Sequence, residues 1–166
     1  MVKSMSGIDI NDDAAQLVQD ISKKKTKVTV AFLRINDDNK IDFDSSLHIF
    51  GDFGLNDIVE KLKQAPTLPH WIVFLSTTKA IDSSNNTTKR TIETPMVISW
   101  CPDGCPVSHK MKFASSRGPV ERAMGDCVTV QIESCEEMTP CEILGDRRMK
   151  RKLNGLNATE FCKISC

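Results

Sequence analysis

The chain has no tyrosine, and its seven phenylalanines and two tryptophans leave aromatics at 5% of 166 residues. Stacking of single-stranded nucleic acid on aromatics interleaved with cations is therefore not expected. Charge of one sign is also missing: 22 basic residues stand against 22 acidic ones. No global field then draws the protein to nucleic acid or a membrane, and an electrostatic partner site must come from local clustering. No apolar run approaches the ~20 residues of a membrane span, and Met1 to Ile10 lacks a signal-peptide core. The sequence reads as a soluble, intracellular protein that does not insert in membranes. Asn85, Asn86 and Asn157 each begin a glycosylation sequon, read on that basis as chance matches. GxSxG, GxxxxGK[ST] and HExxH are all absent. His48, His70 and His109 lie in different local contexts, and nothing singles out an acid–base pair among them. No enzymatic activity and no cofactor are expected.

A CxxC pair is lacking too, although there are seven cysteines, at 101, 105, 127, 135, 141, 162 and 166. An odd count without that spacing points to reduced, mostly buried thiols. Cys101, Cys105 and His109 form the best-spaced metal candidate, C-x3-C-x3-H. Zinc prefers four ligands and closer thiolates, and Pro102 and Pro106 interrupt the stretch, so no metal is expected. Cys162 and Cys166 sit in a polar tail and are expected to be exposed and open to oxidation.

What is present is an ordinary globular composition, 40% apolar and 27% charged, in a length that suits one domain. Asn11 precedes Ala14, Leu17, Val18 and Ile21, whose spacing makes one helical face. Val28–Ile35 is apolar on both faces and reads as a central strand. Asn36 to Asn39 is a turn, and Ile41 to Asp44 returns as its hairpin partner. Leu55, Ile58, Val59 and Leu62 repeat the helical spacing before Pro66. Strands are expected at Trp71–Leu75 and Met96–Trp100, separated by a polar hairpin loop from Thr77 to Thr91. Ser115 or Ser116 is positioned to cap a helix carrying Val120, Ala123 and Met124 and stopped by Gly125. Val128–Ile132 alternates as the last strand. Thr139-Pro140-Cys141-Glu142 is a capping box that starts another helix. The order implies an α+β fold in one domain, a mixed sheet of about five strands flanked by helices on both faces. Residues 1–10 read as a flexible lead, 11–153 as the domain, and 154–166 as a tail without assignable structure.

Two basic clusters stand out, Lys23 to Lys27 and the five cations of Arg147 to Lys152. Clusters like these usually form a solvated surface; as sites they suit an anionic partner such as an acidic protein face, a phosphoinositide or a nuclear import receptor.

The 26 residues from Trp100 to Gly125 carry a denser signal. A strand ends in Trp100; Pro102-Asp103 and Pro106 follow, then Lys110-Met111, Phe113-Ala114-Ser115-Ser116 and a helix ending at Gly125. This resembles the signature of the ADF/cofilin family, and Ser6-Gly7-Ile8 is similar to its N-terminal Ser-Gly-[VI]. The resemblance implies an ADF-homology fold and binding to actin through this helix and the N-terminus. Ser6, Gly7, Ile8, Lys110, Met111, Ser116, Arg117 and Arg122 would make the monomer contact. It further implies preference for ADP-actin, promotion of filament disassembly, a cytoplasmic and cytoskeletal location with nuclear entry, phosphoinositides as a further partner, and phosphorylation of Ser6 as an off switch. The departures weaken the filament side. Ser108, Ile92 and Thr94 stand where the family has cations, and Glu121 replaces the first of a basic pair. Lys89, Arg90, Arg147, Arg148, Lys150 and Arg151 remain as filament contacts, so side-binding and severing are expected to be weak. The alternative within the superfamily is a glia-maturation-factor-like regulator of the actin-branching complex.

Overall fold

In the computed structural model, residues 7–65, 67–82, 89–162 and 164–165 are described. Ser6, Asn85, Asn86 and Cys166 lie outside them. Helix α1 (Asp12–Ser22) begins at Asn11 and buries Ala14, Val18 and Ile21, the face given by the apolar spacing. Strand β1 (Val28–Ile35) is followed by β2 (Ile41–Phe43) and by β3 (Ile49–Phe50). The intervening turn is held by Asn36, whose Oδ1 accepts from the N–H groups of Asp38 and Lys40, each at 3.0 Å. Helix α2 (Leu55–Leu62) opens with Asp57 Oδ2 accepting from Gly54 N at 2.7 Å.

Strands β4 (His70–Ile81) and β5 (Lys89–Trp100) pair antiparallel over all twelve residues. The expected loop is therefore shorter than Thr77 to Thr91. Residues Ser76 to Ala80 alternate buried and exposed, so their polar character marks a strand with one wet face. Helices α3 (Val107–Ala114) and α4 (Gly118–Met124), strand β6 (Val128–Ile132) and helices α5 (Pro140–Leu144) and α6 (Arg147–Leu153) follow. Thr139 caps α5 as expected, its Oγ1 accepting from Glu142 N at 3.3 Å. The segment left without structure in the sequence reading contains β7 (Asn157–Phe161) and β8 (Ile164–Ser165).

Among the described residues the sheet has eight strands, with a main path β2-β1-β4-β5-β6. Only the β5–β6 pair is parallel among the named strands, which makes the sheet mixed. Strand β7 pairs with the Thr78–Ile81 end of β4, beyond the end of β1. Phe161 is fully buried, and Cys162 is buried beside it, contrary to the exposed thiol expected there. Burial pushes the Cys162 thiol up to about 11.

Side-chain alternation divides the core in two. Phe32, Ile72, Phe74, Met96 and Ile98 face α2, α5 and α6 on one side. Leu33, Trp71, Val73 and Val97 face α1, α3 and α4 on the other. Residues 8–10 belong to this second layer rather than to a free lead. Ile8 is buried, and the backbone exchanges Ile41 N→Asp9 O and Asn11 N→Ile41 O bonds, both 2.9 Å.

The structure also brings together two histidines that the sequence left apart. His70, fully buried, lies with Nδ1 3.0 Å from the Leu68 carbonyl and Nε2 3.5 Å from Asp44 Oδ2. His48 is buried near the same carboxylate. Burial holds both imidazoles below the usual histidine pKa, outweighing the attraction of Asp44. Burial alone would raise Asp44, but hydrogen bonds from Ser46 and His70 and the charges of His70 and Arg34 bring its carboxyl below the usual value. The unfolded chain therefore takes up protons at these histidines at a higher pH than the fold does. Their contribution is present above pH ~6.5 and is lost as pH falls through the depressed native values. The urea midpoint should fall between pH 7 and pH 5.5, and the slope should shrink in His70→Gln. An unchanged slope in that variant would assign the pH dependence elsewhere.

Candidate functional site

The residues of the Trp100–Gly125 signature form a two-helix ridge on the α1 side of the sheet. A turn after Trp100 closes with Cys105 N donating to Pro102 O at 3.0 Å, and Pro106 precedes the first turn of α3. Phe113 fixes α3 from below: its ring stacks on that of Trp71 with centroids 4.1 Å apart and planes 20° apart. With Phe113 inward, the opposite face of the helix must face water. Met111 is 69% and Val107 71% exposed, one turn apart on that face. Val107 was not among the expected contacts, though its i, i+4 spacing from Met111 is visible in the sequence. Lys110 lies half-buried on one flank of the helix, and its charge partly offsets the upward push of burial on the Cys101 thiol. On the other flank Lys112 Nζ donates to Asn39 Oδ1 at 2.9 Å.

Neither Ser115 nor Ser116 caps the next helix. Both hydroxyls turn back onto α3: Ser115 Oγ donates to Met111 O at 2.9 Å and Ser116 Oγ to Lys112 O at 2.6 Å. Ser116 is fully buried, and so it supports the ridge where a surface contact was expected. Ile8 is buried likewise and packs in the same cluster as Val120 and Met124, with Gly7 exposed beside it. Helix α4 starts after Arg117 with Pro119 in its first turn and stops at Gly125, whose φ of +89° suits glycine. Glu121 does not stand free. Oε1 lies 3.3 Å from Arg117 Nε, and Oε2 accepts from Thr129 Oγ1 at 2.9 Å. Arg122 is exposed. The ridge thus gathers Gly7, Lys110, Met111, Arg117 and Arg122 on one side of the sheet.

The filament candidates lie elsewhere. Lys89 and Arg90 are exposed at the far end of β5, opposite Ile81 and Ala80. At about 3.3 Å per residue that is on the order of 30 Å from Trp100. Arg147, Arg148, Lys150 and Arg151 are exposed on α6, which sits on the other face of the sheet and buries Met149 and Leu153. Lys152 is paired with Asp126 at 2.9 Å. No group of three or more metal-ligating side chains gathers among the described residues. Cys101 is half-buried, Cys105 buried and His109 exposed, and the six described cysteines are free thiols.

The family profile described as cofilin/tropomyosin-type actin-binding protein matches residues 7–147. The chain belongs to the ADF/cofilin family of actin-binding proteins. No curated protein matches it by sequence. Among solved structures, cofilin from Streptomyces griseoflavus is similar with a TM-score of 0.66 at 20% identity, over 90% of this chain and 99% of that one. The ADF-like UNC-60A protein of Caenorhabditis elegans gives 0.64 at 21% identity, over 84% and 93%. Glia maturation factor from Caenorhabditis elegans gives 0.60 at 15% identity, over 88% and 99%. These likenesses establish the fold.

Helix α6 owes its start to Asp146, whose Oδ1 accepts from Arg148 N at 2.8 Å. Asp146→Ala should cost about 1 kcal/mol in urea unfolding, the usual worth of an N-cap. A loss within error of zero would show that packing of Met149 and Leu153 alone holds the helix.

Proposed function

We propose that this protein binds monomeric actin through the α3–α4 ridge and the adjoining N-terminal segment, and through that contact promotes filament disassembly. The observation that carries the reading is the exposure of Met111 and Val107 on a helix pinned by Phe113. An isolated domain has no stabilising use for two bare apolar side chains there. Flanked on the same helix by Lys110 and Lys112, they have the anatomy of an interface anchor, an apolar centre with a polar rim. Lys110 meets acidic or carbonyl groups on actin, and Met111 fills an apolar pocket. The ADP form of the monomer is the preferred partner, as in the family. No catalytic step belongs to this function.

Filament contact is the weaker part. The cations of α6 and of the β5 end sit on surfaces apart from the ridge, and Glu121 neutralises Arg117 within the ridge. Attraction through the exposed α6 charges fades with salt, because the screening length near physiological ionic strength is about 8 Å. The protein acts at the cytoskeleton and in the cytoplasm, with entry to the nucleus; phosphoinositides compete for its cationic surfaces. A glia-maturation-factor-like role at the actin-branching complex is the second reading, favoured by the likeness to that fold and by the missing cations at Ser108, Ile92 and Thr94.

Two measurements test the reading. Lys110→Ala with Met111→Ala should weaken binding to ADP-actin monomers by about 2–4 kcal/mol, the range of interface hot spots. Affinity within error of wild type sinks the assignment, and binding to the branching complex in its place selects the second reading. Ser6 is expected to carry a phosphate that switches binding off, since about −1.5 to −2 charges would enter a contact facing acidic groups. Ser6→Glu should bind actin monomers roughly five- to a hundredfold more weakly than Ser6→Ala. Equal affinities remove the switch and leave the helix contact standing.

A further inference from the structure

Strand β6 pairs only with β5 among the described residues, so its other edge is open. The hydrogen-bonding sides of its residues follow from one bond. Ile132 O accepts from Cys101 N at 3.1 Å, just past the end of β5, so the polar groups of Ile132 face β5. Successive residues of a strand point their N–H and C=O to opposite sides. The N–H and C=O of Gln131 therefore face the open edge, and Gln131 is exposed.

A groove of 680 Å³ runs along this edge. Its floor is Thr129, Val130 and Gln131; Arg117 lines it from the α4 side, and Arg147 and Arg148 from α6. Two carboxylates share it, Glu142 and Asp146, and one oxygen of Asp146 is held by the cap of α6. Arg117 is already paired with Glu121, whose other oxygen accepts from Thr129, so the exposed guanidinium groups beside the outward backbone of Gln131 are those of Arg147 and Arg148 on the α6 wall. Natural sheets usually blunt such an edge with a proline, a bulge or a covering element. Here β6 carries no proline, and the side chains beside it are arginines suited to fork-like pairing with carboxylates.

We propose that this groove takes an extended acidic segment of a partner protein, added to β6 as a further strand of the sheet. Backbone bonds to Gln131 set the register, and carboxylates on the added strand meet Arg147 and Arg148 on the α6 wall. The site lies between the actin ridge and the α6 surface, and it needs no actin to be occupied.

The test uses the full chain and an acetylated hexapeptide of alternating glutamate and valine. A second peptide of the same sequence carries an N-methyl group on every backbone amide, which keeps its charge and removes the hydrogen-bond donors of both strand edges. Binding of the first peptide should slow amide exchange of Gln131 roughly tenfold or more at saturation. Arg147→Glu with Arg148→Glu should weaken it roughly tenfold, the scale of two exposed charge reversals. Gln131→Pro, which removes the outward N–H from an edge strand, should abolish it. If that variant fails to fold, the methylated peptide carries the same test, because it should not bind. Equal binding of both peptides, or peptide binding without protection of Gln131, overturns the proposal. So does protection of Gln131 by phosphatidylinositol bisphosphate vesicles when the unmodified peptide gives none.

Discussion

The stack of Phe113 on Trp71 is the contact on which the rest of the candidate site depends. Trp71 is fully buried in β4, between β1 and β5, and so provides a fixed plane beneath α3. Placing Phe113 against that plane sets the rotation of a helix of only eight residues. A helix that short has little stability of its own in water. Its orientation comes from this aromatic pair and from the two serine hydroxyls bonded back to its last turn. Once the rotation is set, the positions of Val107, Lys110, Met111 and Lys112 follow from the helical repeat.

Much of the fold was legible because apolar spacing and burial agree. Helices α1 and α2 show their buried faces directly in the sequence, and β1 shows its burial on both sides. The far halves of β4 and β5 were not legible as strands because their outward residues are Thr, Lys, Arg and Glu. A wet face and a loop have the same composition, and only the alternation of Ser76 to Ala80 distinguishes them. Strand β7 is hidden for the same reason, with Phe161 as its single large buried side chain. In the ridge, the motif located the helix, while its residues divide by burial in a way the motif does not encode. Ser116 and Ile8 lie inside, and Val107 outside. The Ser115 and Ser116 hydroxyls had two sets of backbone partners within reach, the helix before and the helix after. Both bond to the carbonyls of the helix before, at Met111 and Lys112.

Charge in the ridge is organised by Glu121. The family pattern expects a cation at that position, and here a carboxylate bridges Arg117 and Thr129. The bridge joins α4 to β6 and lowers the positive potential at the base of the ridge. Lys110 stands half-buried on the flank of the helix that carries the apolar anchors. The proposed interface leans on apolar contact more than on long-range attraction.

The family profile ends at residue 147, yet β7 lies beyond it and pairs with the end of β4 about eighty residues earlier, where Thr159 Oγ1 also donates to Lys79 O. A chain made from its N-terminus acquires β4 and β5 long before this partner. Until β7 emerges, the Thr78–Ile81 edge has no neighbour on that side, and the space filled by Phe161 stands open. The nascent protein therefore passes through a state with a nearly complete sheet and a raw edge at Thr78–Ile81 in addition to that of β6, a geometry from which two growing copies would pair with each other.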